Sequence, residues 1–320
     1  MRPDYTCAAV ARIASTVLVV ALLAATAAAF ALTQGLKNQP AAIFGTDVDE
    51  VFSPICGCDS ETASIVFKLR KPDRLDVTVV DGSEHVVRTI ERGVRYAQGP
   101  VEIAWDGRDD AGKVLPEGEY KPRIRLRGDR TTYTLPNPMR IDVTPPRLDR
   151  VAVVPKVFSP DGDRRGDSVT FRYRLSEPGR GLLFVNGKRR GLTRFPRPGD
   201  SIVWYGKVDA TALAPGVYTA RLAAFDPAGN LTERTRPIRV VIRYVALGRN
   251  RITVTAGAQF ALRVSSDARL LRWSLAGRSG LARPGTLRLR APLQKGRFTL
   301  TISANGHATR AAVLVVESSR

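Results

Sequence analysis

The sequence predicts an all-β chain, a row of β-sandwich modules behind one N-terminal transmembrane helix. Three observations predict it. After Pro40 the chain carries many short runs that alternate apolar and polar residues, a period of two that marks strands with one buried and one wet face. The motif Phe-Ser-Pro stands at residues 52–54 and again at 158–160, an offset of 106. Residues 13–32 are uncharged and almost wholly apolar.

The apolar segment comes first in the chain. Twenty helical residues rise roughly 30 Å, the thickness of a bilayer hydrocarbon core. Arg2 and Arg12 precede it and Lys37 follows it, a bias that keeps the N-terminus in the cytoplasm and exports the rest. The expected address is the cell membrane, single-pass, with residues 13–32 as the membrane contact. The alternative is a secreted chain cleaved at the small residues Ala27-Ala28-Ala29. Either way residues 38–320 lie outside the cytoplasm. Cys7 sits on the cytoplasmic side, so it cannot pair with Cys56 or Cys58.

The repeat divides the exported part. Val48-Asp49-Glu50-Val51 stands opposite Val154-Pro155-Lys156-Val157, Phe67/Leu69 opposite Tyr173/Leu175, and Pro72 opposite Pro178. Trp105 and Leu115-Pro-Glu-Gly118-Glu-Tyr120 correspond to Trp204 and Leu213-Ala-Pro-Gly216-Val-Tyr218, one residue shorter. A period of this size is a whole small domain, far beyond a solenoid unit. The expected domains are therefore 1–37 (cytoplasmic stub and signal-anchor), 42–145, 146–243 and a basic domain at 244–320. Thr144-Pro145-Pro146 supplies a stiff joint between the first two modules.

Within the modules, Ser64–Leu69, Leu75–Val80, Thr170–Leu175 and Val217–Leu222 read as strands. Asp81-Gly82 and Asn186-Gly187 fall between such runs and favour two-residue hairpin turns with positive φ. In 244–320 strands are expected at Ile252–Thr255, Phe260–Ser265, Leu270–Leu275, Thr286–Ala291, Phe298–Ser303 and Ala311–Val316. Each exported unit has one tryptophan, Trp105, Trp204 or Trp273, expected to plug a core.

Phe-Ser-Pro followed by Asp161-Gly-Asp163-Arg-Arg-Gly-Asp167 resembles the opening of FlgD/Vpr-type immunoglobulin-like modules. Trp105-Asp-Gly-Arg-Asp-Asp-Ala-Gly112 with Leu115-Pro-Glu-Gly118-Glu-Tyr120 is similar to their closing half, and Asp226-Pro-Ala-Gly-Asn230 to the last turn of many bacterial Ig-like repeats. The resemblance covers about residues 45–243; the second module departs from it with Tyr205 in place of the Asp after tryptophan. It implies tandem Ig-like sandwiches in an exported spacer or interaction protein. In flagellar hook-cap proteins such a module belongs to an assembly factor. It brings no catalytic residues.

Candidate chemistry is sparse. Asp161, Asp163 and Asp167 form a carboxylate-bearing loop of the kind that suits Ca²⁺, although an EF-hand would need a side-chain ligand at Arg165 and a Glu at Arg172. The weightier reading is a hydrogen-bonded Asx-type turn. Cys56-Gly57-Cys58 occupies the same loop in the first module, where a local disulfide or an intermolecular bridge is the leading reading in an oxidising compartment. Two thiols alone make half a zinc site, and no histidine stands near to activate a nucleophile. His85 and His307, the two histidines in the chain, both come just after turns and read as surface residues. No phosphate loop, Ser elbow, HExxH or dinucleotide fingerprint occurs. The expectation is a non-enzyme without cofactors.

Charge is the remaining signal. The formal net charge is +20, and residues 245–320 hold thirteen Lys/Arg against Asp267 and Glu317 alone. Arg263, Arg272, Arg288 and Arg290 alternate with core-type residues and so face solvent if their neighbours face inward. Such a face suits an anionic envelope polymer, lipid headgroups or an acidic protein. Export argues against nucleic acid, which would leave the same footprint. A GC-rich coding sequence would also favour the 41 Arg over 9 Lys. The chain is thus expected to position or bind, with the basic domain as its contact surface.

Overall fold

The computed structural model describes residues 16–31, 41–208 and 211–317. Residues 16–31 form a helix with every side chain exposed. Among the described residues no helix is long and apolar enough to cross a membrane. Residues 13–15 and 32, with Cys7 and the flanking Arg2, Arg12 and Lys37, lie outside the described residues.

The rest is β-structure in two compact units. The first comprises residues up to Asp49 with Ser64–Trp105 and Tyr120–Pro138. Strand Ala63–Leu69 pairs antiparallel with Ile43–Val48 and shares a three-stranded sheet with Gly99–Trp105. Strand Asp73–Val80 pairs with both Val86–Tyr96 and Gly118–Leu126. The burial of Ala63–Leu69 alternates strictly, with Ile65, Phe67 and Leu69 inward, as a half-wet strand requires. Trp105 packs edge-on against Tyr120, ring centroids 5.4 Å apart.

The second unit is Glu50–Ala63, Asp106–Glu119 and the chain from Met139 onward. One long strand, Val169–Val185, serves two neighbourhoods. Its first half pairs with Leu148–Val154 and Arg197–Trp204. Its second half pairs with Lys188–Leu192 and Gly216–Phe225. The apolar residues of both halves meet in one cluster that includes Phe171, Leu183, Trp204, Leu222 and Val240.

The Phe-Ser-Pro copies fold alike. Val51–Phe52 pairs parallel with Met139–Ile141, and Val157–Phe158 pairs parallel with Ile238–Ile242. The Ser53 N–H donates to the Ser60 carbonyl at 3.0 Å and the Ser159 N–H to the Gly166 carbonyl at 2.9 Å. Each Phe-Ser-Pro closes over a glycine in the left-handed region, Gly107 at φ +68° and Gly206 at φ +62°. A Cβ on Gly107 would sit 2.3 Å from Pro54 Cγ, and one on Gly206 would sit 2.8 Å from Pro160 Cγ. Both positions therefore need glycine for backbone and for space.

The terminal residues form a further sandwich. Ala246–Leu247, Gln259–Ser265 and Gly285–Arg290 make a three-stranded sheet. Arg251–Thr255, His307–Val316, Gly296–Ala304, Leu271–Leu275 and Arg278–Ala282 make a five-stranded one, in that order. Leu262, Leu287, Leu300, Ile302 and Val313 fill the core between them.

Some expectations change. Asn186-Gly187 has positive φ at both residues (47° and 80°), as a two-residue turn demands. Asp81-Gly82 does not form such a turn: the loop is longer, closed by Asp81 N–H to the His85 carbonyl, with Glu84 at φ 64°. Asp81 Oδ1 accepts the Ser83 and His85 N–H groups, each at 2.9 Å, and this carboxylate cap holds the longer loop. Trp105 and Trp204 are buried, whereas Trp273 is only half-buried and packs at the edge of its core.

Candidate functional site

The loop after each Phe-Ser-Pro is where the chain gathers unusual chemistry. In the first copy Cys56 and Cys58 form a disulfide with Cα atoms 5.2 Å apart. In this bonded state neither sulfur is a thiolate able to attack or ligate. The disulfide lies against Gly229 of the turn 226–230, where a Cβ would fall 2.3 Å from Cys58 Sγ. That turn is tied from within and without. Asp226 Oδ1 accepts the Asn230 N–H, and Asn230 Nδ2 donates both to Asp226 Oδ2 and to the Asp142 carbonyl, all at 2.9 Å. Glu117 Oε1 accepts the Thr144 hydroxyl at 2.6 Å and the Val143 N–H at 3.0 Å. These bonds hold its carboxyl below the usual range. Val143 and Thr144, just ahead of Pro145, are thus held by Glu117.

Carboxylate oxygens of Asp142, Glu177 and Asp226 lie within 4.8 Å of one another beside this turn. Burial pushes the Asp142 carboxyl up, and burial with the charges of Asp142 and Asp226 does the same to Glu177. Like charges gathered away from water disfavour full ionisation.

The second copy of the loop behaves differently. Asp167 does not join Asp161 and Asp163: its two oxygens accept the Gly162 and Arg164 N–H groups, each at 2.7 Å. The backbone consumes it as an Asx-type cap. Asp267 from the terminal sandwich takes its place, and oxygens of Asp161, Asp163 and Asp267 lie within 4.8 Å of one another. Asn305 Nδ2 donates to Asp161 Oδ2 and Asp163 Oδ2, both at 3.1 Å, and Ser159 Oγ donates to Asp267 Oδ2. Burial pushes the Asp267 carboxyl up, against the lowering effect of Ser159. The carboxylates gathered here are thus Asp161, Asp163 and Asp267, where the sequence had suggested Asp167 as the third. Sequence reasoning missed Asp267 because it lies 104 residues beyond Asp163; its one visible signal is being an isolated acid in a basic domain.

His307 is not a loose surface residue. It opens strand His307–Val316 and stacks flat on Tyr244, ring centroids 3.4 Å apart. His85 is exposed, with Nδ1 3.7 Å from Asp81 Oδ2.

The four candidate arginines divide. Arg263, Arg288 and Arg290 point outward from the three-stranded sheet, where Ala261 faces Arg288, Gln259 faces Arg290 and Arg263 faces Thr286. No acid lies on the Gln259–Ser265 or Gly285–Arg290 strands. Arg272 stands instead on the outer face of the five-stranded sheet, paired with Ser303 and Leu281. Between the edges of the two sheets opens a cleft of about 670 Å³ lined by Trp273, Leu289, Leu293, Phe298, Arg278 and Arg290, among others. Sequence reasoning missed it because strand Arg278–Ala282 carries one large apolar residue and no alternation.

Residues 59–128 match the family model of the FlgD Ig-like domain, which bears out the resemblance for the first module. No curated protein matches the sequence significantly. Among solved structures the chain is similar to a trypsin-activated α2-macroglobulin from Escherichia coli, at 12% identity and TM-score 0.27, over 87% of this chain and 23% of that one. It is also similar to fibronectin(III)-like modules of Clostridium thermocellum CbhA, at 13% identity and TM-score 0.22, over 54% of this chain and 93% of that one. A bacterial ice-binding adhesin matches at 13% identity and TM-score 0.25, over 88% of this chain and 99% of that one. The chain therefore spans less than a quarter of the length of the first of these proteins.

Proposed function

We propose that the chain is a non-enzymatic cell-envelope protein that carries Ig-like modules outward and binds an anionic partner with its terminal domain. The observation that carries this reading is the acid-free outer face bearing Arg263, Arg288 and Arg290. Three guanidinium groups on neighbouring strands sum their fields, which attracts polyanions at a salt-dependent rate. The loop after each Phe-Ser-Pro is spent on internal contacts, which supports a spacer role for the modules behind that face. Attachment to the membrane through residues 13–32 belongs to the same proposal; its support is the uncharged run Ile13–Leu32 with basic residues on either side.

The test uses the full chain on immobilised poly-glutamate with a salt gradient. Reversal of Arg263, Arg288 and Arg290 to glutamate together is expected to abolish salt-sensitive retention. Arg272→Glu, on the opposite face, is expected to leave most of it. Equal loss in both variants, or no retention of the parent chain, would reject the assigned face.

A second reading is an exported accessory factor for assembly of a surface appendage. The FlgD Ig-like match at residues 59–128 favours it. Mature protein starting near Phe30 in the culture medium would select this reading over the anchored one.

A further inference from the structure

The terminal sandwich is lopsided, with five strands facing three. Strand Gly285–Arg290 ends the smaller sheet: among the described residues its only strand partner is Gln259–Ser265. The larger sheet continues to Leu271–Leu275 and Arg278–Ala282. Part of its inner surface thus lacks a covering strand on the other layer, and the 670 Å³ cleft occupies that place. Its floor is apolar, with buried Leu289 beside half-buried Trp273 and Phe298, and Leu293 stands 84% exposed at its mouth. Arg278, Arg288 and Arg290 line it, and no carboxylate does.

We propose that an extended acidic segment of a partner protein adds as a strand along the free edge of Gly285–Arg290 and fills this cleft with its apolar side chains. The proposal rests on the anionic-partner reading above and specifies its chemistry. A free edge offers unpaired N–H and C=O groups, the template that strand addition uses. The pleat then fixes the partner's pattern. Residues on one side of the added strand drop toward Trp273 and Leu289, so they are apolar. Those between them emerge beside Arg288 and Arg290, so they are acidic. A second copy of this edge is disfavoured, because pairing it with itself would set arginines against arginines.

The test uses the full chain and a labelled synthetic peptide of alternating glutamate and valine, eight residues long. Two controls accompany it: a peptide of the same composition with the glutamates blocked together, and the alternating peptide with two central prolines. Binding of the alternating peptide alone, with slowed amide exchange in residues 285–290, is the expected result. Arg288→Glu with Arg290→Glu is expected to weaken it at least about tenfold at moderate salt. Equal binding of all three peptides would overturn strand addition and leave the polyanion face standing. Failure of every peptide and of poly-glutamate would remove the underlying reading as well. Binding to phosphatidylglycerol vesicles that depends on Arg288 and Arg290, with no peptide bound, would overturn the proposal in favour of a lipid surface.

Discussion

The stretches 52–61 and 158–167 begin with the same three residues, close over equivalent glycines and then diverge completely. Phe52-Ser53-Pro54 leads into a disulfide that rests on Gly229, while Phe158-Ser159-Pro160 leads into carboxylates that meet Asp267 and Asn305. Even the shared serine differs: Ser159 Oγ bonds Asp267, whereas the buried Ser53 Oγ has no hydrogen-bond partner among the described residues. The difference separates two demands on one loop. Closing the sandwich end is a matter of shape, satisfied by Phe and Pro over a glycine. The residues just downstream are chosen by the neighbours they must touch, and chemistry of two kinds serves.

The largest effect should come from the shared part. Gly107→Ala places a methyl 2.3 Å from Pro54 at positive φ, which is expected to cost about 3 kcal/mol in overpacking and backbone strain. Gly206→Ala, with 2.8 Å available, is expected to cost about 2 kcal/mol. Urea unfolding of both variants measures the pair, and a tolerant Gly107→Ala would break the likeness between the two loops.

Next in size is Gly229→Ala, whose added carbon would press on Cys58 Sγ at an expected cost of about 1–3 kcal/mol. In a Cys56→Ala/Cys58→Ala background the sulfurs are gone, so the same change should cost less, while the backbone strain of a side chain at φ +92° remains in both backgrounds. A double-mutant cycle reads this coupling directly. Reduction of the disulfide comes third. The bond closes a very short loop, so chain-entropy stabilisation is small, about 1.5 kcal/mol. Faster amide exchange is expected at residues 226–230 and none at 159–167. Matched acceleration in both loops would contradict their separate chemistries.

The smallest effect is the pH dependence that Asp267 contributes beside the acidic loop. The Asp267 carboxyl titrates above the ordinary 3.8 in the folded chain. Above 3.8 the folded state holds this proton more tightly than the unfolded state, so the contribution of Asp267 falls as pH rises through that window. It is then flat. Asp267→Asn, which keeps an acceptor for Ser159, is expected to flatten that slope and to leave stability at pH 7 unchanged or slightly higher. A steeper slope in the variant would refute the assignment of the raised carboxyl.

How far the sequence reached depends on the range of each signal. Period-two alternation is local, so strands such as Ala63–Leu69 and Gln259–Ser265 were legible with their buried faces. The repeat was legible because its register runs gapless from Val48 to Pro72. Arg278–Ala282 was not, since it is held by pairing with Leu271–Leu275 and not by its own pattern. The partner of Asp163 was illegible for a related reason: Asp267 reaches it only through the packing of distant strands. Trp273 read as a core plug because its neighbours alternate correctly, while its exposure depends on a strand that the opposite sheet lacks. The split of the arginines likewise needed the sheet assignment, because alternation tells inside from outside but not one outside from the other.

Because each sandwich end keeps its closure and its contact chemistry in one short stretch, the two can vary independently. A further copy of the module could be spliced into such a chain with only a handful of substitutions downstream of its Phe-Ser-Pro, matched to whichever neighbour it meets. Reach can then evolve by duplication, with the cost of each new link confined to a loop.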